Sequence, residues 1–341
     1  MNVYLYRIWV VGLLIWLPNM LGGSQGTLEI NSGTLIFDTN GPSPSWSSSG
    51  GESGNGQIIS STFRDSNGTL ITYSVAKYDF QRLLIGPNVV VDLNGSNPLL
   101  IDVEGNATIL SQLDANGTEG SDSTGVRSGK LGGGSGGNKF DGTSWGPGTG
   151  PVHLIPSDTL NSGGAPLKGW IDLSGTTLIA GAEPGGGSYG GIGGRPEPVG
   201  GQGQSAYIHP SGKTYGDSNL THLLAGSGGG GGHQRQGGSG GGAIKIVSTD
   251  TLTIGGDIWA CGGKGGARWN EARRSGGSGS GGAIYLKGDK VIINAGVNIS
   301  ANGGNSAKFT NGQFISNGNT YATDGGGMGA SAGGGGRIYL E

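Results

Sequence analysis

Residues 241–263 read GGAIKIVSTDTLTIGGDIWACGG, and residues 281–304 read GGAIYLKGDKVIINAGVNISANGG. The two match at an offset of 40, then of 41 after a one-residue insertion near Val297. Ile244 and Ile246 fall on Ile284 and Leu286, Leu252 on Ile292, and Ile258 and Ala260 on Ile299 and Ala301. Within each run apolar and polar residues alternate, the signature of a strand with one buried and one wet face. A glycine pair leads in, a polar turn follows the first strand (STD or KGD), and a second and third short strand come next. A glycine-rich stretch closes the unit.

Further copies lie on either side. GGRIYLE (335–341) begins another unit, PLLIDVEGNATILSQLDANG (98–117) is a poorer one, and GWIDLSGTTLIAG (169–181) is a fragment. One such unit cannot bury its own apolar face, but stacked units can, with equivalent strands joined in parallel. The spacing therefore predicts an all-β chain wound as a right-handed parallel β-helix, a β-solenoid with long glycine-rich loops. A β-sandwich is the alternative, since it also uses short strands separated by turn signals. Residues 1–26 read as a signal peptide, 27–97 as a β-rich amino-terminal capping region without the clear repeat, and 98–341 as the repeat-bearing part. The apolar run IWVVGLLIWL (8–17) is too short to span a bilayer, so membrane contact is expected only through an uncleaved signal segment.

Glycine makes up 80 of the 341 residues, about three times the usual share of roughly 7%. It concentrates in 129–150, 181–203, 226–242, 262–282 and 325–336. Three readings are open: positive-φ turns, extended threefold helices packed side by side, or mobile linkers. The alternating strands between the clusters argue against disorder of the whole chain.

A formal net charge of −3 argues against nucleic acid, which requires a basic face. A single cysteine, Cys261, excludes an internal disulfide and reads as a small packed side chain. N-x-S/T sequons stand at Asn67, Asn94, Asn106, Asn116, Asn219 and Asn298. G-x-S-x-G strings surround Ser135 and Ser239 inside glycine tracts, without the strand and helix that a nucleophile elbow needs. The four histidines have no metal-ligand spacing. The acids of DANGTEGSD (114–122) lack a calcium-loop pattern and read as a solvated turn. No cofactor motif is present, and no catalytic or metal-binding residue is assigned. Asp102 and Asp172 occupy matching places in LLIDVEG and GWIDLSG, the one pairing that would suit acid–base attack on a polysaccharide.

Aromatic and basic residues interrupt the glycine tracts. Trp145, Tyr189, Tyr207, Arg268, Trp269, Arg273 and Arg274 are the candidate ligand-binding residues, because a ring supplies contact area and a polar neighbour supplies direction. The unit GGGSGGAIxLxxxxxxIxGxIxAxGGxG, carried by 239–266, 279–304 and 333–341 and more weakly by 98–117, resembles one in large glycine-rich secreted or surface proteins of bacteria. That resemblance implies an adhesin-like parallel β-helix. The glycine clusters are also similar to the stacked polyglycine adhesins of phage tail-fibre tips, which lack a signal peptide and such alternating strands. The expected function is that of a non-catalytic secreted or cell-surface structural or adhesive protein. Its loops would bind a glycan or another surface protein, and it could self-associate through the ends of the stack. A β-helix polysaccharide lyase or glycoside hydrolase is the alternative.

Overall fold

The computed structural model describes residues 25–64, 68–121, 127–139, 147–155, 186–193, 212–232, 235–266, 276–305 and 332–341, with short pieces at 163, 170–171, 178–179, 308–310, 313–316 and 319–322. Of residues 1–26, expected to be a signal peptide, only Gln25 and Gly26 fall among them.

The amino-terminal third forms β1 (Thr27–Asp38), β2 (Ser45–Ser48), β3 (Ser53–Asn55), β4 (Gln57–Arg64), β5 (Leu70–Phe80) and β6 (Arg82–Asn94). The weak repeat at 98–117 supplies β7 (Leu99–Val103), β8 (Ala107–Ile109) and β9 (Leu113–Asp114). Three small pieces follow: β10 (Leu154–Ile155), β11 (Trp170–Ile171) and β12 (Leu178–Ile179). The two strong repeats supply β13 (Ala243–Ser248), β14 (Thr251–Ile254) and β15 (Ile258–Trp259), then β16 (Ala283–Lys287), β17 (Lys290–Ile293) and β18 (Ile299–Ser300). β19 (Lys308–Thr310), β20 (Gln313–Ser316) and β21 (Asn319–Ala322) form an antiparallel meander, and β22 (Arg337–Leu340) ends the chain.

The expectation of a parallel β-helix is corrected here, because the sheets are mixed. β5–β7–β13–β16–β22 pair in parallel, but β4 and β10 pair antiparallel to β5 in the same sheet. The sheet β17–β14–β8–β6–β1 is parallel until β2 and β3 join it antiparallel. The antiparallel β-sandwich is not found either. No helix occurs among the described residues. The repeats report only how neighbouring units pair. They say nothing of the hairpin strands, which come from the part of the chain that lacks the repeat.

Where the repeats do pair, their register differs in one detail from the sequence alignment. β13 and β16 pair at an offset of 40, as Ile244 with Ile284 and Ile246 with Leu286. β14 and β17 pair at 39, so Leu252 faces Val291 and not Ile292. β15 and β18 pair at 41, Ile258 with Ile299. The KGDK turn is therefore one residue shorter than its counterpart, and the chain regains the residue, and one more, before Ile299.

One core cluster runs through all of these strands. Ile101, Ile246 and Leu286 lie in one line with Tyr78, all without solvent exposure. Phe37 meets Tyr78 edge-on at 5.1 Å, and Trp46 meets Phe80 at 5.9 Å, closing the amino-terminal end. A second cluster lies on the outer face of the β5-containing sheet, where Tyr73, Val75, Ala243 and Ala283 are covered by Tyr189, Tyr215, Leu223 and Leu224.

The glycine tracts form a packed lattice. In 236–242, the N–H groups of Gln236, Ser239 and Gly242 donate to Ser121, Thr118 and Ala115. Those of Gly237 and Gly240 donate to Gly137 and Gly134, and those of Gly238 and Gly241 to Gly277 and Ser280. Each neighbour is met at every third residue, the periodicity of an extended threefold helix, which has no internal hydrogen bonds and must donate sideways. Tracts 226–232 and 263–266 donate into the same segment, Gly226 and Gly229 to Gly241 and Gly238, and Gly263 and Gly266 to Ser239 and Gln236. Segment 236–242 is thus ringed by five others.

None of the glycines in 226–242 or 276–282 adopts positive φ, so turn geometry does not explain them. Close approach does. A Cβ on Gly238 would lie 2.1 Å from the Gly263 carbonyl oxygen, and one on Gly237 would lie 2.0 Å from that of Gly229. Of the three readings of these tracts, side-by-side packing is the one the described residues display.

Candidate functional site

Strand alternation decides which side chains face outward. In β15 and the two residues after it, Ile258 and Ala260 point into the core, so Trp259 and Cys261 point out. In-register pairing sets Asp114 and Ser300 on either side of Trp259. Two residues further along, Asn116, Cys261 and Asn302 repeat the row. Strands lie about 4.8 Å apart and same-face residues about 6.7 Å apart, which sets the spacing of this grid. Its polar groups are mutually fixed. The Cys261 N–H donates to Asn116 Oδ1 at 2.7 Å, Asn302 Nδ2 donates to Ser300 Oγ at 2.8 Å, and Cys261 Sγ lies 3.2 Å from Ser300 Oγ. Trp259 is half-buried, and its Nε1 is shielded and without a hydrogen-bond partner. A partly exposed indole with amides, a hydroxyl and a carboxylate around it suits the apolar face and hydroxyl rim of a sugar ring. Trp259 was legible in IWACGG, where alternation with Ile258 and Ala260 puts it on the wet face.

From Trp259 the chain runs through lattice tract 260–266 to the stretch carrying Arg268, Trp269, Arg273 and Arg274. The two ends of that stretch are clasped, Gly276 N–H donating to the Gly266 carbonyl at 2.9 Å.

Of the sequence-derived candidates, only Tyr189 falls among the described residues. Its ring is fully buried, 4.8 Å from Tyr215 and under the Arg337 guanidinium at 5.3 Å. Burial pushes its phenol well above the ordinary tyrosine range. Tyr189 is therefore a packing residue and offers no ring to a ligand. Trp145, Tyr207, Arg268, Trp269, Arg273 and Arg274 lie outside the described residues.

The outer face of the β5-containing sheet carries a second row of charged and aromatic groups. Lys77 Nζ sits between two carboxylates, 2.6 Å from Asp79 and 2.9 Å from Asp102. Asp102 thus has an ammonium partner, while Asp172 lies outside the described residues. Lys245 Nζ stands 4.0 Å over the Tyr285 ring, and burial, then the nearby Lys287, hold it below the usual lysine range. Tyr285 stacks on Tyr339 at 5.3 Å, and burial together with the Glu341 carboxylate pushes its phenol up to about 12.

The G-x-S-x-G serines are lattice parts. Ser239 Oγ accepts the Thr118 N–H at 2.6 Å in full burial. His153 is buried with Nδ1 3.2 Å from the Gly132 carbonyl oxygen, and burial lowers its pKa to about 4. Glu119 of the acidic turn pairs with Lys264 at 3.4 Å. No group of three metal-ligating side chains occurs among the described residues.

Compared with protein-family models, with curated proteins and with solved structures, the chain matches none.

Proposed function

We propose that this chain is a non-catalytic, secreted or cell-surface structural and adhesive protein that binds glycans. The observation that carries the reading is the Trp259 face, a mostly buried indole with a partly exposed edge, in register between Asp114 and Ser300 on paired strands. The partner classes that fit are a glycan or a glycan-bearing surface protein. The lyase or hydrolase alternative finds no support in Asp102, whose carboxylate is held by Lys77.

The test is a glycan array on the purified protein, followed by titration of the best ligand. Losing a stacked ring removes about 1.4 kcal/mol, or tenfold in Kd. Trp259→Ala is expected to weaken binding by that factor and Trp259→Phe by less. Absence of binding to every glycan, together with cleavage of a polysaccharide, would overturn the proposal.

A further inference from the structure

Trp259 lies at the centre of an outward grid whose charge is of one sign. The row before it holds Gln112, Asp257 and Asn298, each one residue ahead of the paired Leu113, Ile258 and Ile299. Backbone hydrogen bonds fix that row. The Leu113 N–H donates to the Asp257 carbonyl at 2.8 Å, and the Ile258 N–H to that of Asn298 at 3.1 Å. Asp114 and Asp257 thus flank the indole, one on the neighbouring strand and one a step back on its own, with Cα atoms about 8 Å apart. Among the described residues, no Lys, Arg or His takes an outward position in the three rows. Lys264, three residues past Cys261, pairs with Glu119 at 3.4 Å.

Both carboxylates are positioned, and neither is neutralised. Asp114 Oδ1 accepts the Asn116 N–H at 2.9 Å, and Asp257 Oδ1 accepts the Asn298 N–H at 2.8 Å. These bonds hold one oxygen of each group and bring no opposite charge. The Oδ2 atoms have no partner among the described residues and are not shielded from solvent. Elsewhere carboxylates are matched, Asp79 and Asp102 by Lys77 and Glu341 by Lys287. A sugar laid against the indole therefore meets two uncompensated carboxylates within a Debye length, about 8 Å at physiological salt. An ammonium on that sugar gains attraction and charge-assisted hydrogen bonds to the Oδ2 atoms. A uronate or sulfate there meets like charge with no cation to offset it.

We propose that the Trp259 face selects glycans bearing free amines, with Asp114 and Asp257 as the residues that set this specificity. The proposal rests on the glycan-binding reading of that face and names the class of sugar it takes. The indole supplies the apolar contact common to all sugars, and the two carboxylates supply the discrimination among them.

Calorimetric titration of the full chain with three tetrasaccharides tests this: β-1,4-linked glucosamine, its N-acetylated form and a galacturonate. The amine form is expected to bind about tenfold more tightly than the N-acetylated one, from about threefold for each partly exposed charge contact. The galacturonate is expected to bind more weakly than both. Raising salt from about 0.05 to 0.5 M is expected to shrink the preference for the amine. Asp114→Asn and Asp257→Asn keep the Oδ1 acceptor that each backbone N–H needs, and each is expected to reduce that preference about threefold. Equal or tighter binding of the N-acetylated or galacturonate form would overturn the proposal and leave the glycan-binding reading standing. So would a preference that survives both substitutions together, or an equal affinity for tetralysine, which would mark a face that takes cationic peptide. Failure to bind any of the three tetrasaccharides would overturn it as well, and failure to bind any glycan on the array would remove both readings.

Discussion

A methyl group on Gly240 would lie 2.2 Å from the carbonyl oxygen of Gly226, and backbone cannot rotate away as a side chain can. Overpacking of this kind costs about 3 kcal/mol. Gly240→Ala is therefore expected to lower the denaturation midpoint markedly, whereas Gly335→Ala, with nothing within 4 Å of its Cβ, is expected to leave it unchanged. Equal effects in urea titrations would count against the lattice. His153 gives a second residue-scale expectation. Folded, its pKa is about 4, while in the unfolded chain it is about 6.5. The unfolded state therefore binds the proton first. Stability is complete above about pH 6.5 and falls as pH drops towards 4, by about 3 kcal/mol in all. His153→Gln is expected to flatten that slope between those limits. An unaltered slope would place the acid sensitivity elsewhere.

At the scale of elements, the strands were largely legible and their arrangement was not. Alternation in AIKI, AIYL and LLIDV marked the buried positions, and the pairing of Ile244 with Leu99 and Ile284 follows from the repeat. The shift to Val291 opposite Leu252 was not legible, because Val291 and Ile292 are equally apolar. Nor were the antiparallel strands, since β2 and β3 (SWSS and SGN) carry little apolar pattern and pair through their backbones. The candidate site was legible only in part. Tyr189 looks in sequence like any other aromatic in a glycine stretch, yet Tyr215 and Arg337 enclose it. Trp259 sits in a strand, where alternation fixes its direction. The charged row makes an element-scale prediction too. Lys77 neutralises both Asp79 and Asp102, so Lys77→Met leaves two carboxylates in register on adjacent strands. It is expected to reduce stability at neutral pH and to recover part of that loss at pH 4. A loss independent of pH would contradict the pairing.

At the scale of the whole molecule, the structure divides the chain differently from the sequence. There, strands read as scaffold and glycines as excursions from it. In the structure the glycine tracts are themselves scaffold, with segment 236–242 ringed by five others, and both parts share borders at Ala115, Ala260 and Gly282. Bare backbone is the means, since only glycine lets threefold helices approach closely enough to exchange hydrogen bonds on all sides. Such a lattice has no side chains to pack and so leaves no hydrophobic pattern for sequence to reveal. The measurement that tests this most directly is amide hydrogen exchange across 226–242 and 276–282. The lattice predicts slow exchange there, comparable to that of strands β13 and β16. Exchange at the rate of a free glycine chain would contradict it.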